Sequence, residues 1–183
     1  MGTLIKDTVA VGLALLVLGG TSVTTLTKYY IDKQKDTDFI ALDVSSSLFV
    51  KPDSIMSDEQ KQTLETIKKL NILALQSNAV KNEKYNAEKE VVRGILSDAK
   101  YKTLVKYDAS DKQATLKYLG DEKAIDELVV FANDDKQGMA LVRVLGDNMN
   151  PGKILQMLQT MDTNDIDMSV LNSLETKLDI NVD

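Results

Sequence analysis

Four apolar segments joined by short polar turns constrain this chain more than any other feature. They are Thr103–Tyr107, Ala114–Leu119, Ile125–Ala132 and Met139–Leu145. The joins Ser110-Asp111-Lys112-Gln113, Gly120-Asp121-Glu122-Lys123 and Asn133 to Gly138 are of hairpin length and rich in turn residues. This spacing predicts a four-stranded antiparallel meander. The last two strands are apolar on both faces. Leu128, Val130 and Ala132 alternate with Val129 and Phe131, and Ala140, Val142 and Val144 alternate with Met139, Leu141 and Leu145. Helices are expected to cover one face. The other face needs the C-terminal helix, the curl of the sheet, a partner or a second copy, because large bare apolar patches are uncommon on monomers.

Upstream, Phe39-Ile40-Ala41-Leu42-Asp43-Val44 reads as a strand. Ser45-Ser46-Ser47 and Lys51-Pro52-Asp53 read as loop. Ser57-Asp58-Glu59-Gln60 has the form of a capping box, which opens a helix expected to reach about Leu70. Met56, Gln60, Leu64 and Ile67 would share one side of it. Ile72–Leu75 is a short apolar strand. Lys81–Lys100 reads as the longest helix, burying Tyr85, Val91, Val92, Ile95, Leu96 and Ala99, with Gly94 as a candidate mark of close packing. Gly146-Asp147 closes the last strand. Asn150-Pro151 then opens a helix with Asn as N-cap and Pro at the first helical position. Its apolar stripe is Ile154, Leu155, Met157, Leu158 and Met161. A final amphipathic helix from about Asp165 places Leu171, Leu174 and Leu178 at helical spacing, with Val170 beside them. The expected fold is therefore α+β: strand–helix–strand–helix, then the four-stranded meander, helices mainly on one face, and C-terminal helices.

The N-terminus has a different character. Thr8 to Thr27 is a run of 20 uncharged residues with an apolar centre at Val9–Leu18, followed by Gly19-Gly20-Thr21-Ser22. Lys6 precedes it. Three readings apply: a secretory signal, although no clean Ala-x-Ala site is present; an uncleaved anchor; or a buried helix of the domain. The expected organisation is a signal peptide or membrane anchor over residues 1–27, a polar linker or short helix over 28–36, and one α+β domain over 37–183. The expected location is exported, in the periplasm or cell envelope.

Composition removes whole classes of chemistry. The 183-residue chain has no cysteine and no histidine. Disulfides, thiolate nucleophiles, Cys-ligated zinc, histidine triads and histidine metal sites are excluded. Carboxylates, Lys, Tyr or an oxygen-bound cation would have to carry any reaction. A net charge of −6 argues against nucleic acid and against an anionic lipid surface. No cofactor is implied.

Individual candidates are few. Asp162-Thr163-Asn164-Asp165-Ile166-Asp167 begins like a calcium loop. However, Ile166, Asp167 and Ser173 stand where an EF-hand needs an oxygen ligand, Gly and Glu. Asp134 and Asp135 are adjacent in a turn and diverge, which disfavours a catalytic pair. Gly120-Asp121 and Gly146-Asp147 are turn punctuation, and Tyr107 and Tyr118 are ordinary strand residues. Arg143 stands out as one of two arginines, the other being Arg93, and it sits between Val142 and Val144. It shares a strand face with Met139 and Leu141. With Val129 and Phe131 these residues form a candidate partner-contact surface. The ordinary account of Arg143 is pairing with an acid on the neighbouring strand, such as Glu127.

The whole pattern resembles a known family. The segments that carry the likeness are Phe39–Ser45, Lys69-Leu70-Asn71-Ile72-Leu73-Ala74-Leu75, Tyr101-Lys102-Thr103-Leu104-Val105, Leu141-Val142-Arg143-Val144-Leu145-Gly146-Asp147 and Lys153-Ile154-Leu155. Together they resemble the domain of unknown function 4252 family, small exported proteins found mainly in Bacteroidota. The likeness covers roughly Thr37–Met161. It implies an envelope location and supplies no catalytic residues. The functional expectation is a non-enzymatic binding or accessory domain that engages an envelope protein or apolar ligand at an apolar sheet face or a helix–sheet groove. A second copy could serve as the partner. The alternatives are a regulatory component of an envelope stress response and, at lower weight, a carboxylate-based hydrolase.

Overall fold

The computed structural model describes residues 25–48, 50 and 54–161. The leader up to residue 24, the loop at 51–53, the calcium-like segment and the final helix expected from Asp165 lie outside the described residues. Helix α1 spans Leu26–Lys33, strand β1 Ile40–Ser45, helix α2 Asp58–Thr66, strand β2 Ile67–Gln76 and helix α3 Asn82–Leu96. Strands β3 (Lys102–Asp108), β4 (Lys112–Asp121), β5 (Ala124–Asp134) and β6 (Gly138–Met149) follow, then helix α4 (Pro151–Thr160). The fold is a mixed α+β arrangement around one six-stranded sheet in the order β1-β2-β6-β5-β4-β3, antiparallel at every pair.

The meander β3-β4-β5-β6 is present, with strands longer and turns tighter than the apolar segments alone suggest. It is part of a wider sheet, because β2 adds beside β6 and β1 lies outside β2. The helix expected to reach Leu70 stops at Thr66. Ile67 is already extended, at φ −89° and ψ 126°. Residues 67–76 form a strand paired on both sides, to β1 and β6, and Leu73 and Leu75 are fully buried. Ladder hydrogen bonds on both edges, with burial, override the helical spacing of Leu64 and Ile67.

The local capping signals do their work. The Ser57 hydroxyl accepts from Gln60 N at 3.2 Å, and Gln60 Oε1 accepts from Ser57 N at 2.8 Å. Asn150 Oδ1 accepts from Lys153 N at 3.1 Å ahead of Pro151. In α4, Ile154 and Met157 are buried while Leu155 is 40% exposed.

The helices do not gather on one face of the sheet. α1 and α3 cover one side, packing Leu26, Tyr29, Tyr85, Val92 and Leu96 against Leu73, Leu75, Val129, Phe131 and Leu141. α2 and α4 cover part of the opposite side, where Ile154 and Met157 meet Ile67, Tyr118, Leu128 and Met149. Since both faces of β5 and β6 are apolar, each must be covered, and the helices divide between them.

Residues 28–36, expected as a polar linker or a short helix, take in most of helix α1. Thr25 caps α1 by accepting from Lys28 N at 3.2 Å, and Leu26, Tyr29 and Tyr30 are buried. The folded part therefore takes in Thr25, Leu26 and Thr27, which the sequence reading places in the leader. α1 is tied to α3 because Tyr29 Oη donates to Glu88 at 2.9 Å and Lys33 pairs with the same carboxylate.

Two glycines behave differently from their sequence reading. Gly94 on α3 faces open space, with nothing within 4 Å of where a Cβ would stand, so it marks no close packing. Val91 (42% exposed) and Ala99 are likewise on the outside of the protein. Gly94→Ala should stabilise the fold by about 0.5–1 kcal/mol, read as a rise in denaturation midpoint at unchanged slope. Gly146 lies within β6 rather than ending it. A Cβ there would sit 2.1 Å from the Thr66 carbonyl, where α2 turns into β2.

Candidate functional site

The five residues expected to form a partner surface lie together, but in the interior. Val129, Phe131, Met139 and Leu141 are buried under α1 and α3, and Arg143 is 3% exposed. The alternation of β6 places Arg143 on the same face as Met139 and Leu141, as expected, and that face is the covered one. In this arrangement none of the five presents a surface to a partner. Arg143 takes the ordinary pairing. Its Nε donates to Glu127 Oε1 at 2.6 Å, and its Nη2 donates to Thr27 Oγ1 at 3.0 Å. The guanidinium also lies 5.9 Å from the Tyr30 ring centre.

A polar network continues from there. Tyr30 Oη donates to Asp43 Oδ1 at 2.6 Å, Lys69 Nζ reaches Asp43 Oδ2 at 3.0 Å, and Asn71 donates to the same carboxylate. Burial pushes the Asp43 carboxyl up, but the hydrogen bonds from Tyr30 and Lys69 outweigh it and hold it below the usual carboxylate range. The network is fully satisfied, since no buried side-chain nitrogen or oxygen among the described residues lacks a partner. It fastens α1 to the sheet. Asp134 and Asp135 diverge, the first pairing with Lys112 and the second with Lys89.

A groove with ligand-binding character lies elsewhere, between the C-terminal half of α3 and strands β3 and β4. It encloses about 340 Å³. Strand β3 is the outer edge of the sheet and is exposed along its length, so α3 does not reach over it. On the floor, Lys106 stands opposite Thr115 and Asp108 opposite Gln113, while Phe131 and Asn133 continue the same face on β5. Leu96 and Phe131 supply buried apolar surface. Three cations surround them. Arg93 donates through Nη1 to Glu90 at 2.7 Å and through Nη2 to Gln113, with Asn133 Oδ1 at 3.4 Å. Lys117 Nζ donates to the Leu96 carbonyl at 2.7 Å, near the C-terminal end of α3. Lys106 lies 3.2 Å from Asp108. Gln113 and Lys106 hold the Asp108 carboxyl below its ordinary range, so that acid is ionised near neutral pH. The groove lining thus carries three positive charges against one negative, in a chain whose net charge is −6.

Sequence reasoning missed this groove because its residues come from positions 93 to 133. The available signal was the register that puts Lys106 and Thr115 side by side on an edge strand. No group of three or more metal-ligating side chains occurs among the described residues. No helix among them is long and apolar enough to cross a membrane.

Comparison with known families matches residues 29–174 to the one described as "Domain of unknown function (DUF4252)". The chain belongs to the DUF4252 family. The match takes in every strand of the sheet and the whole groove, so both belong to the family's common region. No curated protein and no solved structure matches the chain.

Proposed function

We propose that this DUF4252 domain is an exported cell-envelope accessory protein that binds, without catalysis, a small ligand with an apolar body and an anionic head. The observation that carries this reading is the α3–β3–β4 groove, which combines apolar surface from Leu96 on α3 and Phe131 on β5 with Arg93, Lys106 and Lys117. Its volume falls within the range of small-molecule sites, and a few placed polar groups over an apolar floor are the usual means of orienting a ligand. Arg93 is pre-positioned by Glu90 and Gln113, so its guanidinium plane is set before a ligand arrives. The uncharged run at residues 8–27 supports export. Cell fractionation tests the location, and recovery with cytosolic markers would reject it.

Titration with dodecanoate, using dodecanol as the uncharged control, tests the site. Dodecanoate should perturb the backbone amides of residues 93–97, 106–108 and 113–117. It should bind at least about tenfold tighter than dodecanol, the worth of one charge-assisted hydrogen bond. A triple variant with Arg93→Gln, Lys106→Gln and Lys117→Gln should lose that difference. Equal binding of dodecanoate by the parent and the triple variant would reject the assignment.

A further inference from the structure

The sheet ends on β3, and among the described residues that edge is open. All of its side chains are exposed, Val105 at 53% and Tyr107 at 56%. The other edge, β1, buries Val44 and ties Asp43 to Tyr30. At the β3–β4 turn, Ala109 N donates to the Lys112 carbonyl at 2.8 Å. Hydrogen-bonded and non-hydrogen-bonded pairs alternate along an antiparallel ladder. Counting back from Ala109, Tyr107 and Val105 bond to β4, whereas the amides and carbonyls of Lys106 and Asp108 point away from the sheet. The register shifts between Thr103 and Val105, so the regular stretch is Val105–Ala109, with Tyr107 at its middle. An edge with free backbone groups and exposed apolar side chains is a template for another strand. A bulge and a lysine commonly guard such an edge, but here the lysine comes with an acid two residues on.

We infer that this edge pairs with β3 of a second copy, antiparallel, about a two-fold axis through Tyr107. The backbone fits. In that register Lys106 of each copy stands opposite Asp108 of the other, and these are the residues whose amides and carbonyls are free. The charges fit as well. Lys106 and Asp108 share the groove face and lie 3.2 Å apart within one copy, so pairing closes a ring of two lysines and two acids across the axis. Moving the axis by one residue either way would set Lys106 against Lys106 or Asp108 against Asp108, so charge selects the register. On the other face Tyr107 meets its own counterpart and Val105 lies opposite Ala109, which takes exposed apolar surface out of water. Helix α3 does not reach over β3, so it leaves the approach clear. The shared stretch is short, and a dissociation constant on the order of 100 μM is expected, at the weak end of specific association. The pairing does not depend on what the groove binds.

Sedimentation of the full chain over a concentration series tests this. The parent should show a monomer–dimer equilibrium. Lys106→Asp and Asp108→Lys each set like charges across the axis, and each should weaken association at least about tenfold. Both side chains are well exposed, so the fold should survive either change. An equal mixture of the two variants should recover the parent's association, because one copy then carries only acids at these two positions and the other only lysines. The absence of cysteine allows a second readout. Position 107 faces itself at about 4.5 Å between Cα atoms, within disulfide reach. Mild oxidation should therefore link Tyr107→Cys chains at least about tenfold faster than Asp108→Cys chains, whose thiols lie out of line across the axis. A parent that stays monomeric up to about 1 mM overturns the inference. So does association that survives both charge reversals, a mixture no tighter than its components, or equal oxidation of the two cysteine variants.

Discussion

Glu127→Ala, with Arg143 left in place, should cost about 3–5 kcal/mol of stability and lower Tm by on the order of 10 °C. Both side chains are almost wholly buried, and Arg143 Nε sits 2.6 Å from Glu127 Oε1. Removing the carboxylate leaves a guanidinium in the interior with Thr27 as its remaining hydrogen-bond acceptor. Arginine does not shed its proton to escape this. Glu127→Gln should lose less, since it keeps an acceptor at the same place. The double change Glu127→Leu with Arg143→Met should recover much of the loss, because an apolar pair of similar volume removes both charges at once. Thermal melts of the four proteins give the comparison. A Glu127→Ala variant that melts with the parent would mean that water reaches Arg143 and that this pair is not sealed in the interior.

Alkaline pH should unfold the domain steeply between about pH 10 and 12. Tyr29, Tyr30, Tyr85 and Tyr101 are all buried. Burial pushes the Tyr85 and Tyr101 hydroxyls up to about 12, with Asp135 adding to the effect at Tyr85 and Glu127 at Tyr101. Tyr29 and Tyr30 are raised as well, by burial and by their hydrogen bonds to Glu88 and Asp43. The sign follows from linkage. The folded state holds these protons above pH 10, where the unfolded chain releases them. Stability from these groups is therefore complete below about pH 10 and drains as pH rises toward 12. Each group contributes a slope of about 1.4 kcal/mol per pH unit, so four acting together reach roughly 5 kcal/mol per unit. That is enough to consume a typical domain stability within about two units. Tyrosinate absorbance and circular dichroism should then change together. Ionisation of all these tyrosines near pH 10 with the dichroism unchanged would show that their hydroxyls are wet.

Signals in the sequence are legible where the residues that make them are covalently close. Ser57 with Gln60, and Asn150 with Pro151, mark helix starts because each motif satisfies orphan amides within one turn. The hairpins from β3 to β6 are legible because alternation and turn residues set their register. What fails depends on distant partners. Ile67–Leu70 looks helical in isolation and becomes strand because β6, 74 to 79 residues away, pairs with it. Lys28–Lys33 reads equally as a linker or a short helix from its mixed composition, and only its packing on distant residues shows that Tyr29 and Tyr30 face inward and anchor it. The expected partner surface falls on the correct strands and in the wrong environment. Periodicity shows which residues share a face, but not which face a helix will cover. The groove cannot be assembled from sequence at all, since Arg93, Lys106 and Lys117 meet only once the edge strand is in register.

The α1 cap sets a limit on how this polypeptide can be trimmed. Scission beyond the bond before Thr25 begins to remove contacts that hold α1 to the sheet. One residue further removes the hydroxyl that receives the Lys28 amide, two remove Leu26, and three remove the acceptor that Arg143 uses. A form starting at Tyr29 should therefore melt below one starting at Thr25, since it lacks the cap, a buried leucine and the hydroxyl that receives Arg143.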